Sequence, residues 1–367
     1  MPGMTARERM MAVYRGRFAD RVPISIYARY LPRGSCERAL REMGLGIIDY
    51  HPAVTLLAPP WHTHPGYISQ VQGVDLVISL SWENGQPVET RTYKTPVGTI
   101  SQRTTKEPTY GSDWISKFYV TGRVDYKVLQ YVVEHTVFRS NESGLRARIR
   151  DLGQDGVVLG RMDRCPYQKL LIELAGPEQF LMDLYTDPDP VTELLEVMDR
   201  RMDEAFQMVV GSQAEVIWQP DNITVDMTPP DRFRQYCVPF YEKHARQLQA
   251  AGKVYVVHMD GRLAPLKELI AGCPFDAVES FSLPEVGGDL SLSQARAAWP
   301  DKVILPNFPA PLCQRSKQEI ESYLERMLAE AGTKVPFMLQ VSEDIPTSEW
   351  QRVLPILCLV MQARGQR

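Results

Sequence analysis

The stretch Lys253-Val254-Tyr255-Val256-Val257-His258-Met259-Asp260-Gly261 decides how the rest of the chain is read. Its first five residues are β-branched, aromatic or flanking, and they read as a buried strand. The strand ends in a histidine, with an acid two residues on and a glycine that lets the backbone turn. From Arg262 to Ala271 the apolar residues Leu263, Leu266, Leu269 and Ile270 fall at helical spacing. A strand that delivers His and Asp at its carboxyl end, just before a helix, is how a (β/α)8 barrel builds an active site. Side chains alternate along a strand, so His258 and Asp260 point one way and Met259 the other. An imidazole beside a carboxylate is, in outline, either a metal-ligand pair or an acid–base pair.

Outward from that stretch the same unit repeats. Towards the amino terminus lie strand Gly156–Arg161, helical segments Tyr167–Leu174 and Pro177–Tyr185, and one long amphipathic helix Pro190–Val210. Strand Ala214–Gln219 and a helix opened by Thr228-Pro229-Pro230-Asp231 follow. Towards the carboxyl terminus come strands Phe275–Ser280, Lys302–Pro306 and Pro336–Val341, each followed by a helix. Strand–helix alternation of this length predicts a parallel sheet, and seven or eight such strands predict closure. The fold class is therefore α/β, a (β/α)8 TIM barrel.

The amino-terminal part adds two features. Met4–Arg15 reads as a helix with Thr5 and Glu8 in capping-box positions. Ile24–Tyr27 reads as a first barrel strand. From about 74 to 104 the texture changes to short strands separated by Asn84-Gly85 and Pro96-Val97-Gly98, an antiparallel β insertion. The whole chain, 1–367, reads as one elaborated barrel domain.

Composition narrows the function classes. The chain is 44% hydrophobic and 23% charged, enough for a large core. A net charge of -4 gives no reason to expect nucleic acid or an anionic membrane as partner. Six cysteines without CxxC spacing read as reduced thiols, and no apolar run is long enough to span a bilayer, so a cytoplasmic protein is expected. No GxGxxG follows an early strand and no P-loop is present, which weighs against dinucleotide or nucleoside-triphosphate chemistry.

If the strands are parallel neighbours, the residues just past each converge on one face. They are Tyr27, Arg29 and Tyr30; Arg161 and Asp163; Trp218, Asp221 and Asn222; His258 and Asp260; Glu279; Asn307; and Glu343 with Asp344. Metal sites draw on residues distant in sequence and close in space, and this set has that character. Each residue also has a plainer reading. Glu279 serves as well in a salt bridge to Arg262 or Lys302, Asp260 as an orienting partner of His258, and the aromatics as core.

The motifs Thr5-Ala6-Arg7-Glu8-Arg9, Asp20-Arg21-Val22-Pro23, His258-x-Asp260-Gly261, Gly288-Asp289-Leu290-Ser291-Leu292 and Asn307-Phe308-Pro309 resemble the uroporphyrinogen decarboxylase-like superfamily in order along nearly the whole chain. That resemblance implies a (β/α)8 barrel and either decarboxylation or corrinoid-linked methyl transfer. The decarboxylase's arginine-rich segment is replaced here by Ile26-Tyr27-Ala28-Arg29-Tyr30-Leu31-Pro32-Arg33, poorer in cations. The thiol-methylating branch has His-x-Cys and a distant Cys, where this chain has His258-Met259-Asp260 and Ser342-Glu343-Asp344. The resemblance thus implies an oxygen-rich zinc set of His258, Glu279 and Glu343, a harder Lewis acid suited to an ether or phenolate oxygen. The expected function is transfer of methyl from a small methoxy-arene or methylated amine to the cobalt of a corrinoid on a partner protein. His258, Asp260 and Asp221 are the expected catalytic groups. Tyr27, Arg29, Tyr30, Arg161, Trp218, Asn222 and Asn307 are expected to bind substrate. The alternative is a metal-free decarboxylase of a smaller substrate. No corrinoid-binding DxHxxG motif is present, and a homodimer is left open.

Overall fold

The computed structural model describes residues 3–59, 64–106, 113–332 and 336–364. The chain forms two compact units: residues 1–51, 143–161 and 213–367, and residues 52–142 and 162–212.

Fourteen strands are formed among the described residues. In chain order they are β1 (Ile24–Tyr27), β2 (Gly46–Pro52), β3 (Gln70–Val71), β4 (Asp75–Glu83), β5 (Gln86–Thr95), β6 (Gly98–Lys106) and β7 (Asp113–Lys117). After these come β8 (Thr136–Val137), β9 (Gly156–Arg161), β10 (Val216–Gln219), β11 (Val254–His258), β12 (Ala277–Phe281), β13 (Val303–Pro306) and β14 (Leu339–Val341).

The first unit holds the barrel. Eight strands hydrogen-bond in the order β13-β12-β11-β10-β9-β2-β1-β14, and β1 pairs in parallel with both β2 and β14, as do the neighbours from β9 through β13. Parallel bridges Ile304–Phe337 and Asn307–Gln340 join the two ends, so the sheet is nearly closed. The interior is a packed core. Ile48, Val157, Leu159, Val216, Trp218, Val254, Val256, Ala277, Val303, Leu305 and Met338 form one buried cluster, with alternate residues of each strand turned inward. The helix Ala6–Tyr14 contributes Met10, Met11, Val13 and Tyr14 to that cluster. Its start is the capping box read from Thr5 and Glu8: the Thr5 side chain accepts from the Glu8 amide while the Glu8 carboxylate takes the Thr5 amide at 2.7 Å. Arg9 binds Asp20 at 2.5 Å, and Arg7 and Arg15 both reach Glu215, which fixes this helix to the chain around it.

In the second unit, β4-β5-β6-β7 make a four-stranded antiparallel sheet and β3 pairs β8. The insertion read at 74–104 is this sheet, extended by β7. Asn84 and Gly85 both take positive φ, the two-residue hairpin turn their types favour. The helix Pro188–Val210 buries Met198 and Met202 as packing residues. Ahead of it, Pro166–Lys169 is followed by a π turn, Leu170–Leu174. There the buried Lys169 ammonium donates to Asp163 at 2.7 Å and Glu173 at 2.5 Å, and Arg164 closes on Glu173 at 2.9 Å. Among the described residues no helix is long and apolar enough to cross a membrane.

One barrel strand escaped the sequence reading. Gly46–Pro52 follows the helix Ser35–Glu42, and its signal is the short apolar run Ile47-Ile48 ahead of Asp49-Tyr50.

Candidate functional site

Inward alternation carries the chemistry to the carboxyl ends of the strands. On β11, Val254 and Val256 lie in the core and His258 is the next inward residue; on β12, Ala277 lies in the core and Glu279 is the next. His258 and Glu279 are register partners on adjacent strands. The His258 Nδ1–H donates to Glu279 Oε2 at 2.6 Å, with the imidazole 7% exposed and Glu279 wholly buried.

Glu279 is held on all sides. Tyr27 donates its hydroxyl to Oε1 at 2.5 Å, and Trp218 donates Nε1–H to Oε2 at 3.0 Å. A buried carboxylate with three donors is satisfied without solvent. What aims it is a bulge: the β12–β13 register shifts between Glu279 and Phe281, and Ser280 sits at φ 57°. Ser280 is secured by its amide on Gln340 at 3.1 Å and its hydroxyl against Ser342 at 2.7 Å.

The other ring nitrogen, His258 Nε2, faces Asp260 Oδ2 at the longer distance of 3.3 Å. Asn222, itself at φ 51°, donates to the same oxygen at 2.9 Å. Asparagine tolerates that backbone better than most residues. The loop after β11 is tied by Asp289, which accepts from the amides of Leu263 and Ala264 at 2.6 and 2.9 Å. Gly261 is required here by proximity and not by a turn: a β-carbon would lie 2.2 Å from the Thr224 β-carbon.

Burial pulls the His258 pKa down, but the charges of Asp260 and Glu279 outweigh it and push it up to about 10. The ring is therefore an imidazolium at neutral pH, with one proton tightly held and one loosely held. Glu343 stands exposed at the rim, yet desolvation by its surroundings, with the like charge of Asp260, raises its carboxyl above the usual range. Asp344 is raised by the same desolvation and eased by Arg29.

An aromatic wall adjoins this pair. Trp218 meets the His258 ring edge-on at 5.8 Å and lies tilted against Tyr50 at 5.0 Å; Tyr27 contacts Tyr50 at 5.7 Å and stacks on Tyr30 at 6.2 Å. Arg29 lies 4.9 Å over the Tyr30 ring. Tyr50, on the strand missed in the sequence, was missed with it. Arg161 ends β9 opposite Trp218 of β10. Its Nε is buried without a partner, and among the described residues no ion pair engages its guanidinium.

Several expected site residues are spent elsewhere. Asp221 is fully buried and accepts from the Tyr241 hydroxyl at 2.6 Å and Gln219 at 3.2 Å; past Trp218 the alternation turns it away from the core. Asn307 is 1% exposed and its carbonyl takes the Ser342 amide at 3.1 Å, which stitches the β13–β14 joint. Tyr27 and Trp218 act on Glu279 as well as lining the wall. The salt bridges open to Glu279 do not form: Arg262 pairs with Asp226, and Lys302 donates to the carbonyls of Cys273 and Phe275.

The zinc set of His258, Glu279 and Glu343 does not fit this arrangement. Both oxygens of Glu279 are occupied by donors, one of them His258 itself. Among the described residues no three His, Cys, Asp or Glu side chains are grouped so as to hold one ion.

Comparison with known proteins agrees with this barrel. Residues 169–349 match the family model described as Uroporphyrinogen decarboxylase (URO-D), a span that contains His258, Asp260, Glu279 and Glu343. A methyltransferase from Methanosarcina mazei shares the fold at TM-score 0.56 with 15% identity, over 98% of this chain and 99% of that one. A xylose isomerase domain protein from Planctomyces limnophilus aligns over 94% of this chain and 98% of that one, at 11% identity and TM-score 0.40. No curated protein matches the sequence significantly. The family match covers just under half of the chain, and the likeness to the methyltransferase structure is one of fold.

Proposed function

We propose that this protein is a methyltransferase that moves a methyl group from a small methoxy-arene to the cobalt of a corrinoid carried by a partner protein. The observation that carries the reading is the His258 imidazolium, clamped by Glu279 on Nδ1 and only loosely engaged by Asp260 on Nε2. Superfamily support and the full-length likeness to a methyltransferase fold favour methyl transfer over other barrel chemistry.

An aryl ether is a poor methyl donor because phenolate leaves badly. In the proposed step the cobalt(I) electron pair forms the new bond to the methyl carbon. The carbon–oxygen pair departs onto oxygen, and His258 Nε2 gives its proton to that oxygen. The products are a neutral phenol, methyl–cobalt(III) and a neutral imidazole. Asp260, 24% exposed at its side chain, connects Nε2 to solvent for reprotonation. A quaternary amine departs as a neutral amine and needs no proton in the transfer, so a proton-donating histidine favours the ether over the methylated amine. Trp218, Tyr50 and Tyr30 give the arene a wall, and Arg161 is the open cation for an acidic ring substituent.

The test is methylcobalamin formation from cob(I)alamin with methoxy-arenes and with methylated amines, followed by absorbance. Methoxy-arene turnover that disappears in His258→Gln is the expected result. Turnover lost on chelation and restored by zinc would move activation from the imidazolium to a metal. Failure of every methyl donor, with carbon dioxide released from a small carboxylated substrate, would favour decarboxylation.

A further inference from the structure

We propose that the free edge of β4 pairs with β4 of a second copy of this chain, making a two-fold antiparallel strand junction between two insertion sheets. β4 is nine residues long and stands at the end of its sheet, with β5 its single partner among the described residues. An open edge of this length presents unpaired backbone donors and acceptors, and natural proteins normally blunt such edges with lysine, proline or bulges. β4 has none of these: its nine pairs with β5 run without a register shift. It carries Ile78, Leu80 and Trp82 at 42%, 69% and 75% exposure, with Val77 at 43%.

Parity fixes which groups face outward. Glu83 and Gln86 flank the two-residue turn at Asn84 and Gly85, so they form a hydrogen-bonded pair. Alternation then turns the backbones of Ser81, Ser79 and Val77 toward β5, and those of Trp82, Leu80, Ile78 and Leu76 outward. Of the residues with outward backbone groups, Trp82, Leu80 and Ile78 thus carry exposed apolar side chains on one face.

Self-pairing also has a preferred register. A two-fold axis at Ser79 sets Asp75 opposite Glu83 of the other copy, two acids facing each other. An axis at Ile78 leaves Trp82 across from Val74, outside the strand. An axis at Leu80 pairs Leu80 with its own copy and Ile78 with Trp82 twice, an aromatic–β-branched match, and sets Glu83 opposite Val77. That register engages the outward backbones of Ile78, Leu80 and Trp82 and covers the two most exposed side chains. A second copy satisfies it by symmetry, as isologous contacts require.

Sedimentation velocity across a concentration series, with hydrogen exchange on the same samples, tests this. The expected result is a monomer–dimer equilibrium in which the Ile78, Leu80 and Trp82 amides gain protection as dimer forms. Leu80→Lys places two ammonium groups on the axis, and Leu80→Pro removes an outward amide while sparing the β4–β5 ladder. Each weakens the dimer by about tenfold or more, with the Ser79 and Ser81 amides still protected as proof that the hairpin is intact. Methyl transfer by the monomeric variants stays unchanged. A chain monomeric at every concentration overturns the proposal, as does a dimer indifferent to both variants. Open polymers abolished by Trp114→Lys, which would mean β4 meeting β7 of the next copy, overturn it too.

Discussion

His258 stands in an environment far from that of an ordinary imidazole. Its pKa, ordinarily 6.5, stands at about 10 because two carboxylates outweigh burial. The folded pKa is the higher one, so the ion pair stabilises the fold fully below the unfolded value and loses that contribution as pH rises towards 10. Thermal stability should fall between about pH 6.5 and 10, and His258→Gln should flatten that dependence; an unchanged slope in the variant would remove His258 as its source. Activity should show an alkaline limb near the same pKa. Removing donors from Glu279 tests the clamp from behind. Tyr27→Phe deletes one hydrogen bond to a charged acceptor, worth about 1.5–3 kcal/mol, and should lower kcat more than it raises the donor KM; a pure KM effect would make Tyr27 a wall residue only. At this scale the sequence placed residues at strand ends more readily than it placed them on a face. His258, Asp260, Glu279 and Arg161 lie at or near the carboxyl ends of β9, β11 and β12, where a strand-end reading puts them. Asp221 and Asn307, read off strand ends in the same way, take part in buried hydrogen bonds, since a polar residue after a strand gives no sign of which face it takes. Their partners, Tyr241 and Ser342, are distant in sequence.

Short elements set the aim of these residues. The β12 bulge at Ser280 turns Glu279 onto His258, and no local pattern in Glu279-Ser280-Phe281 marks it. Serine at φ 57° is strained, and a β-branched residue there is more so. Ser280→Val should therefore cost about 1–3 kcal/mol and depress turnover through a displaced Glu279, whereas Ser280→Gly should hold the backbone and most of the activity. Calorimetry beside turnover decides it; if valine is tolerated in both, the bulge is not what positions the carboxylate. The π turn at Leu170–Leu174 was likewise read as plain helix, because no residue type specifies the extra residue per turn. Its neighbour Lys169 is 1% exposed between Asp163 and Glu173. Lys169→Met would take the ammonium from two buried carboxylates and should destabilise by about 3–5 kcal/mol, measured by denaturant midpoint at constant slope. A loss below about 1 kcal/mol would show that water or Arg164 replaces the ammonium.

At the scale of the molecule the barrel was the most legible feature. Strand–helix alternation with buried β-branched runs admits few other arrangements, and the antiparallel insertion declared itself by Asn84-Gly85. The filled interior bears directly on how a corrinoid could be used. Side chains from all eight strands or their ends close the barrel core, so a macrocycle has no way into it. Under the proposed reading the cobalt approaches from outside, and the donor must present its methyl outward from His258 Nε2 while its oxygen faces the imidazolium. Recognition of the corrin then falls to the protein that carries it, and free cob(I)alamin should behave as a reagent in solution. Its rate of methylation should rise in proportion to its concentration into the millimolar range, because tethering on a carrier supplies an effective concentration that a free cofactor lacks (about millimolar for a short flexible link). The protein as purified should show no corrinoid absorbance. His258→Gln should lower the slope of rate against cob(I)alamin by about 10²–10⁴ without changing the affinity for the methoxy-arene, measured separately by calorimetric titration. Saturation at micromolar cob(I)alamin would mean that this chain carries its own corrin site, and the carrier would then be dispensable.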